Sequence, residues 1–376
     1  MAGIYIHIPF CKRRCIYCDF FSTTASEKKN DYIQALCKEI AERKNYLGSE
    51  IIDTIYLGGG TPSQLEKDDF ISIFNTIYHN YNVNPEAEIT IEANPDDLSD
   101  EYVSMLSTLP FNRLSMGIQT FNDDILSLLK RRHNAQQAIN AFRRCRNAGF
   151  RNISIDLMYG LPGESMETWK RDLDTAISLT PEHISAYHLI YEEGTQLYRL
   201  KEENKVSEAD EDLSNTLFET LITRLKESGY AHYEISNFCR PGMHSRHNSS
   251  YWTGIKYLGC GPSAHSYDGH SRQWNISSLE KYIDGINNGL NISEIEELDL
   301  YTRYNDFVIT TIRTVWGMPL ERLKTEFGDE LYDYCLKMAK PHISQGTLEI
   351  KDNILKLTQN GIFISDGIMS DMLWVD

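Results

Sequence analysis

Three cysteines, Cys11, Cys15 and Cys18, stand in a CxxxCxxC spacing inside the stretch Tyr5 to Phe20, YIHIPFCKRRCIYCDF, directly after a short apolar run. No other feature restricts the chain as much, because three thiolates on one loop must be presented together from a rigid part of the fold. A structural zinc site takes four protein ligands, usually as two pairs, and no second pair exists here. The other five cysteines, Cys37, Cys145, Cys239, Cys260 and Cys335, are scattered singly. Three thiolates suit an iron-sulfur cluster of the cubane form, which keeps one of its irons without a protein ligand and open to chemistry.

Through the first two thirds of the chain, short β-type runs alternate with helix-length segments, the pattern of repeated βα units around a parallel sheet. The runs are Ile4 to Ile8, Thr54 to Leu57, Glu88 to Glu92, Arg113 to Met116, Asn152 to Leu157 and His183 to Tyr187, each leading into a Gly, Pro, Asn or Cys loop. Helical segments between them include Glu27 to Tyr46, Gln64 to Tyr78, Ala135 to Ala148 and Glu167 to Ser178. A further helix follows Ser207, read as its N-cap, carries Leu213, Leu217, Leu221 and Leu225 as one apolar stripe, and stops at Gly229.

Six βα units are fewer than the eight of a closed barrel. The expected fold is therefore α/β, with a partial (β/α)6 TIM-like barrel over residues 1–230. Residues 231–297, rich in His, Tyr, Trp, Asn, Ser and Gly, read as an irregular connecting region. Residues 298–376 read as a smaller, mainly helical domain; a hairpin at Thr347 to Thr358, turning at Asp352-Asn353, and a last helical piece at Phe363 to Leu373 suggest a winged-helix-like character. Its low positive charge favours a packing role over DNA binding.

Parallel βα sheets hold their ligands at the carboxyl ends of the strands, so those loops are the ones to read. Strand two ends in Gly58-Gly59-Gly60-Thr61-Pro62, where glycines let the backbone approach a ligand closely, although a tight turn explains them equally. Strand three ends in Glu92-Ala93-Asn94-Pro95 and offers a carboxylate to hydroxyl or ammonium donors. Gln119 follows strand four, and Arg131 lies further on; a guanidinium is the natural bidentate partner of a carboxylate, though most arginines are solvated surface residues. Asp156, inside the apolar run IDLMYGLPG, is costly unless a ligand or an arginine pairs with it.

The cysteine spacing, with Tyr5, His7, Pro9 and Phe10 before it and Tyr17 and Asp19-Phe20 around its end, resembles the signature of the radical S-adenosylmethionine (SAM) superfamily. Within it, the flanks look like the branch that contains coproporphyrinogen III dehydrogenase and the HemW group of heme chaperones. The resemblance covers nearly the whole chain. It implies a [4Fe-4S] cluster on Cys11, Cys15 and Cys18, with SAM chelating the fourth iron. It also implies SAM contacts from Tyr5, Tyr17, Gly59, Gly60, Thr61, Glu92, Gln119, Arg131 and Asp156.

Two departures from the dehydrogenases favour the chaperone group. Phe20 stands where they carry another cysteine, and the Tyr-x-His-x-Pro strand begins within a few residues of Met1. A third point is His247-Asn248-Ser249-Ser250-Tyr251-Trp252, which resembles the HNxxYW pattern associated with heme in that group. His247 would offer an imidazole to iron, and Tyr251 and Trp252 flat area to a porphyrin face. A packed, hydrogen-bonded structural histidine is the plainer account of His247, and His244 and His265 are nearby competitors. The expected function is a heme chaperone that passes heme to an acceptor haemoprotein; the alternative is a SAM-dependent coproporphyrinogen-decarboxylating enzyme.

Charge and hydropathy narrow the classes further. A formal net charge of -17 argues against a general nucleic-acid binder, and so against RNA modification, because phosphate contacts need clustered Lys and Arg. No apolar run approaches membrane-spanning length, and no signal-like segment follows Met1. Eight cysteines without a regular framework agree with a reducing compartment, so the expectation is a cytoplasmic protein. The apolar end Met369 to Trp374 is a candidate homodimer contact.

Overall fold

The structure, a computed structural model, describes residues 1–375. Its framework is six parallel strands in sequential order: β1 (Ala2–Ile8), β2 (Ile52–Gly59), β3 (Val83–Ala93), β4 (Arg113–Gln119), β5 (Ile153–Tyr159) and β6 (His183–His188). Between and after them come α1 (Lys29–Glu42), α2 (Lys67–Asn80), α3 (Asp100–Leu106), α4 (Asp123–Leu128), α5 (Ala135–Asn147), α6 (Met166–Leu179), α7 (Gln196–Glu202) and α8 (Glu211–Glu227). The partial barrel expected from the sequence is present. One cap differs: Asp210, not Ser207, caps α8, its carboxylate accepting from the Leu213 N–H at 2.8 Å.

Strand periodicity gives the barrel two unlike faces. Ile4, Ile6 and Ile8 of β1 are fully buried beneath the helices. Gly3, Tyr5 and His7 face the concave side, in register with Thr54, Tyr56 and Gly58 of β2. On β3 the same face carries Glu88 and Thr90, paired with Thr54 and Tyr56. The hydrophobic core thus lies between sheet and helices, and the barrel interior is polar.

Residues 231–297 do not form the irregular connection expected. They build β7 (Ala231–Glu234), β8 (Asn237–Cys239), α9 (Arg246–Thr253), β9 (Lys256–Cys260), β10 (His265–Tyr267), β11 (Ser271–Asn275), α10 (Leu279–Asn288) and β12 (Ser293–Glu297). These strands extend the sheet at both edges, in the order β12-β11-β10-β9-β1-β2-β3-β4-β5-β6-β8-β7. β9 runs parallel to β1, whereas β8 lies antiparallel to β6. Their brevity and polar, half-open faces hide them from a reading based on apolar runs. α9 packs against β1 and β2. The backbone N–H groups of Arg246 and His247 each donate to the buried Glu88 carboxylate at 3.0 Å, so the positive end of this helix meets a negative charge.

The remaining chain has its own core. It comprises α11 (Leu300–Ile312), β13 (Met318–Pro319), α12 (Leu320–Ser344), β14 (Leu348–Lys351), β15 (Ile354–Leu357), α13 (Gln359–Ile362) and α14 (Ser365–Met372). Gly328, at φ +82°, divides α12 into two helices, which gives a helix–strand–helix–helix–hairpin order before the last two short helices. Asp352 and Asn353 at φ 53° and 62° form the hairpin turn, as expected of a two-residue loop with both residues left-handed. At the C-terminal end, Met369 and Met372 of the candidate contact segment are buried within this core, and Trp374 stacks on Tyr301 at 5.1 Å. No helix among the described residues is long and apolar enough to cross a membrane.

Candidate functional site

The cysteine loop connects β1 to α1 and is fastened at several points. The Cys11 N–H donates to the Thr23 carbonyl at 2.8 Å, and the Thr23 N–H donates to Pro9 at 2.7 Å. Ile16 is buried in a small cluster with Leu129, Leu161 and Leu197. Lys12 donates to Asp97 at 2.9 Å; Asp97 also accepts from Ser63, Gln64 and Arg132 at 2.9, 2.6 and 3.1 Å. Burial would raise the Asp97 pKa, but Lys12, Arg132 and Ser63 outweigh it and hold the carboxyl below its ordinary value.

The three thiols are half-buried. Cys11 Sγ lies 3.2 Å from Thr61 Oγ1, and Arg131 Nη1 donates to Cys15 Sγ at 3.4 Å. Burial pushes the Cys18 thiol up to about 11 and raises Cys11, with the neighbouring thiols adding to both. Such thiols ionise only when a cationic centre takes up their charge, which fits an iron cluster. No three His, Cys, Asp or Glu among the described residues gather closely enough to hold a single ion.

The strand ends converge beside this loop. Tyr56 donates to Glu92 Oε1 at 2.6 Å, and the Gly59 N–H donates to Glu92 Oε2 at 3.2 Å. Ser115 donates to Asp156 at 3.2 Å. Both carboxylates are enclosed by protein yet open to the barrel interior; burial raises Glu92 to about 7 and Asp156 to about 6. Arg131 donates through Nη2 to Asn94 Oδ1 at 2.7 Å and to the Gly117 carbonyl, while its buried Nε has no partner. That N–H is a donor with no acceptor inside the protein, and a guanidinium with such a donor is chemically suited to a ligand carboxylate such as that of SAM. Gln119 sits at φ 73°, a strained conformation for a non-glycine residue. Tyr17 is half-buried near Arg131 and Cys15, and Tyr5 shares a hydrogen bond with His7 Nδ1 at 3.1 Å.

The glycine loop has a packing reason as well as a chemical one. A Cβ on Gly59 would meet the His7 ring at 2.5 Å, and one on Gly60 would meet the Ile8 and Pro9 backbone at 2.8 Å.

His247, Tyr251 and Trp252 lie on α9. His247 is only 1% exposed. Its Nδ1 shares a hydrogen bond with Thr54 Oγ1 at 2.8 Å and its Nε2 with the Tyr251 hydroxyl at 2.9 Å. Neither ring nitrogen is free, which matches the packed, hydrogen-bonded account of this residue; ligation of iron would require one of these two bonds to open. Burial lowers the His247 pKa to about 3, so the ring is neutral. Tyr251 and Trp252 instead line a cavity of about 310 Å³ between α9 and α11. His244 rests against Trp316, with ring centroids 5.7 Å apart, and His265 is exposed beside Trp274.

Four interior residues were given no role of their own in the sequence reading of the site. Tyr56 and Asn94 orient Glu92 and Arg131; His7 bonds the Phe21 carbonyl at 2.9 Å behind the cysteine loop. Arg113, 1% exposed with Nε and Nη1 unpartnered, sets positive potential against the burial of Glu92 and Asp156. Their signal was the period-two face: Tyr56 and Arg113 lie on the concave side of strands whose other face is apolar.

Comparison with known proteins agrees with this geometry. The profile of the radical SAM superfamily matches residues 5–176, and that of the HemN C-terminal domain matches residues 298–364. The heme chaperone HemW of Bacillus subtilis (strain 168) is 32% identical over 378 residues, covering 99% of each chain. HemW of Mycobacterium tuberculosis (strain H37Rv) is 31% identical, covering 99% of this chain and 94% of its own. The structure of coproporphyrinogen III oxidase (HemN) from Escherichia coli superposes with a TM-score of 0.85 at 23% identity, covering 99% of this chain and 89% of that one, a likeness of fold.

Proposed function

This chain belongs to the HemW family within the radical SAM superfamily, and from that premise we propose that it binds heme beside a cluster-bearing barrel and delivers it to an acceptor haemoprotein. The observation that carries the reading is the end-to-end similarity to heme chaperones, C-terminal domain included. Cys11, Cys15 and Cys18 hold a [4Fe-4S] cluster, which supplies an electron and an open iron when bound. Arg131 receives the SAM carboxylate through its unpartnered Nε. Glu92 and Asp156 would accept from SAM's amino and hydroxyl groups, and Tyr5, Tyr17, Gly59, Gly60, Thr61 and Gln119 would shape the surrounding walls. Tyr251 and Trp252 form the heme-facing element, and His247 holds the Tyr251 hydroxyl from behind it.

Coproporphyrinogen decarboxylation is the second reading, favoured by the shared fold with the oxidase. Against it, Phe20 is 70% exposed beside the cluster loop, at the position where those enzymes carry another cysteine. Reconstituted protein mixed with heme, and separately with coproporphyrinogen III, SAM and a reductant, distinguishes the two. Stoichiometric heme retention without decarboxylation supports the chaperone; turnover to protoporphyrinogen overturns it.

A further inference from the structure

The cavity between α9 and the C-terminal domain has an unusual lining for so acidic a protein. Flat rings come from Tyr251, Trp252, Phe307 and Phe327, and guanidinium groups from Arg272, Arg303 and Arg322. Two carboxylates share the wall, and each is already answered: Arg272 donates to Asp306 at 3.3 Å and Arg322 to Glu326 at 2.6 Å. Arg303 has no salt bridge among the described residues, and its Nε is buried without a partner. Trp252 Nε1 is also buried and unpartnered, with the Arg313 guanidinium over its ring at 4.1 Å. The wall therefore combines aromatic faces, a guanidinium without an ion pair, and two lining residues that each keep a buried N–H without a partner.

An occupant that satisfies all three must be planar, apolar on its faces and anionic at one edge. We propose that this cavity receives the carboxylate edge of a porphyrin, with Arg303 pairing one propionate and Tyr251 and Trp252 flanking the ring. At about 310 Å³ it admits an edge of the macrocycle and leaves the remainder reachable by an acceptor. The C-terminal domain thereby forms half of the heme site, a role its modest charge gave no reason to expect. This rests on the heme reading above and adds the place and polarity of binding.

The test uses full-length, cluster-reconstituted protein titrated with ferric heme and with its dimethyl ester, in which both carboxylates are neutralised. Wild type should bind heme roughly tenfold more tightly than the ester, the worth of one charge-assisted hydrogen bond. Arg303→Gln should remove that preference, while Arg171→Gln, on an exposed part of α6, should retain it. Trp252→Phe should lose most of the tryptophan quenching that heme produces. Equal affinity for heme and ester, or an Arg303→Gln protein that discriminates like wild type, overturns the cavity assignment and leaves the heme reading standing. Failure of wild type to retain heme overturns both.

Discussion

Tyr56 donates its phenolic hydrogen to Glu92 across 2.6 Å, and burial still raises that carboxyl to about 7. An acid whose folded pKa exceeds its unfolded value binds more protons when folded. The stability linked to it is present below the ordinary value of 4.5 and lost as pH rises through about 7; Asp156 behaves likewise between 3.8 and about 6. A cationic ligand reverses this penalty. Calorimetric SAM affinity of the cluster-loaded protein should therefore tighten several-fold from pH 6 to pH 8, and Glu92→Gln should flatten the dependence. A profile identical in wild type and Glu92→Gln rejects the role given to this carboxylate.

Cys11→Ser, Cys15→Ser and Cys18→Ser should each abolish the brown colour and the iron and sulfide content after anaerobic reconstitution, because two thiolates hold a cubane poorly. Cys37→Ser, which removes a solitary cysteine on α1, should leave both unchanged. Full iron content in any of the first three variants contradicts the ligand assignment.

Asp97 joins the cysteine loop to the β2 and β3 strand ends through Lys12, Ser63, Gln64 and Arg132. Asp97→Asn leaves Arg132 half-buried with only Asp96 as a partner. Urea unfolding should show a loss of about 2 kcal/mol, below the about 3–5 kcal/mol of a fully buried pair because Lys12 is largely exposed. Since this carboxyl's pKa is held below the usual 3.8, its stabilisation is present above that value and fades as pH falls through the lowered one. Wild type and Asp97→Asn should thus converge in stability as pH falls below the ordinary carboxyl value of 3.8 and through the lowered one; a gap that stays constant with pH excludes the charge as its cause.

The six barrel strands were legible because each is an apolar run at βα spacing whose end carries a loop residue. The site followed from their order, since a parallel barrel brings successive strand ends to one rim. What stayed hidden depends on contacts across long stretches of sequence. Glu88 caps α9 from 159 residues away, and strands as short as His265–Tyr267 become strands only by pairing with a formed edge. The tail Met369 to Trp374 looked like surface because its partners, Tyr301 and Tyr304 among them, lie on a helix far upstream. For His247 the motif offers an iron ligand and the residue type a packed structural role, and only the folded barrel shows Thr54 and Tyr251 engaging both nitrogens.

That engagement supports the last prediction. With 1% exposure and no free nitrogen, His247 is expected to act as a positioning residue that holds Tyr251 in the wall of the cavity. His247→Ala removes two buried hydrogen bonds and opens a void, which should cost about 3 kcal/mol of stability and most of the heme affinity. His247→Gln retains a buried donor and acceptor in similar volume. It should recover most of the stability and bind heme within about threefold of wild type, with the same Soret band, because the iron's coordination does not depend on the ring. If the imidazole does bind iron, the glutamine variant will fold like wild type, shift the Soret band and fail to retain heme; that result would return the motif to direct ligation and require Tyr251 to release Nε2 when heme enters.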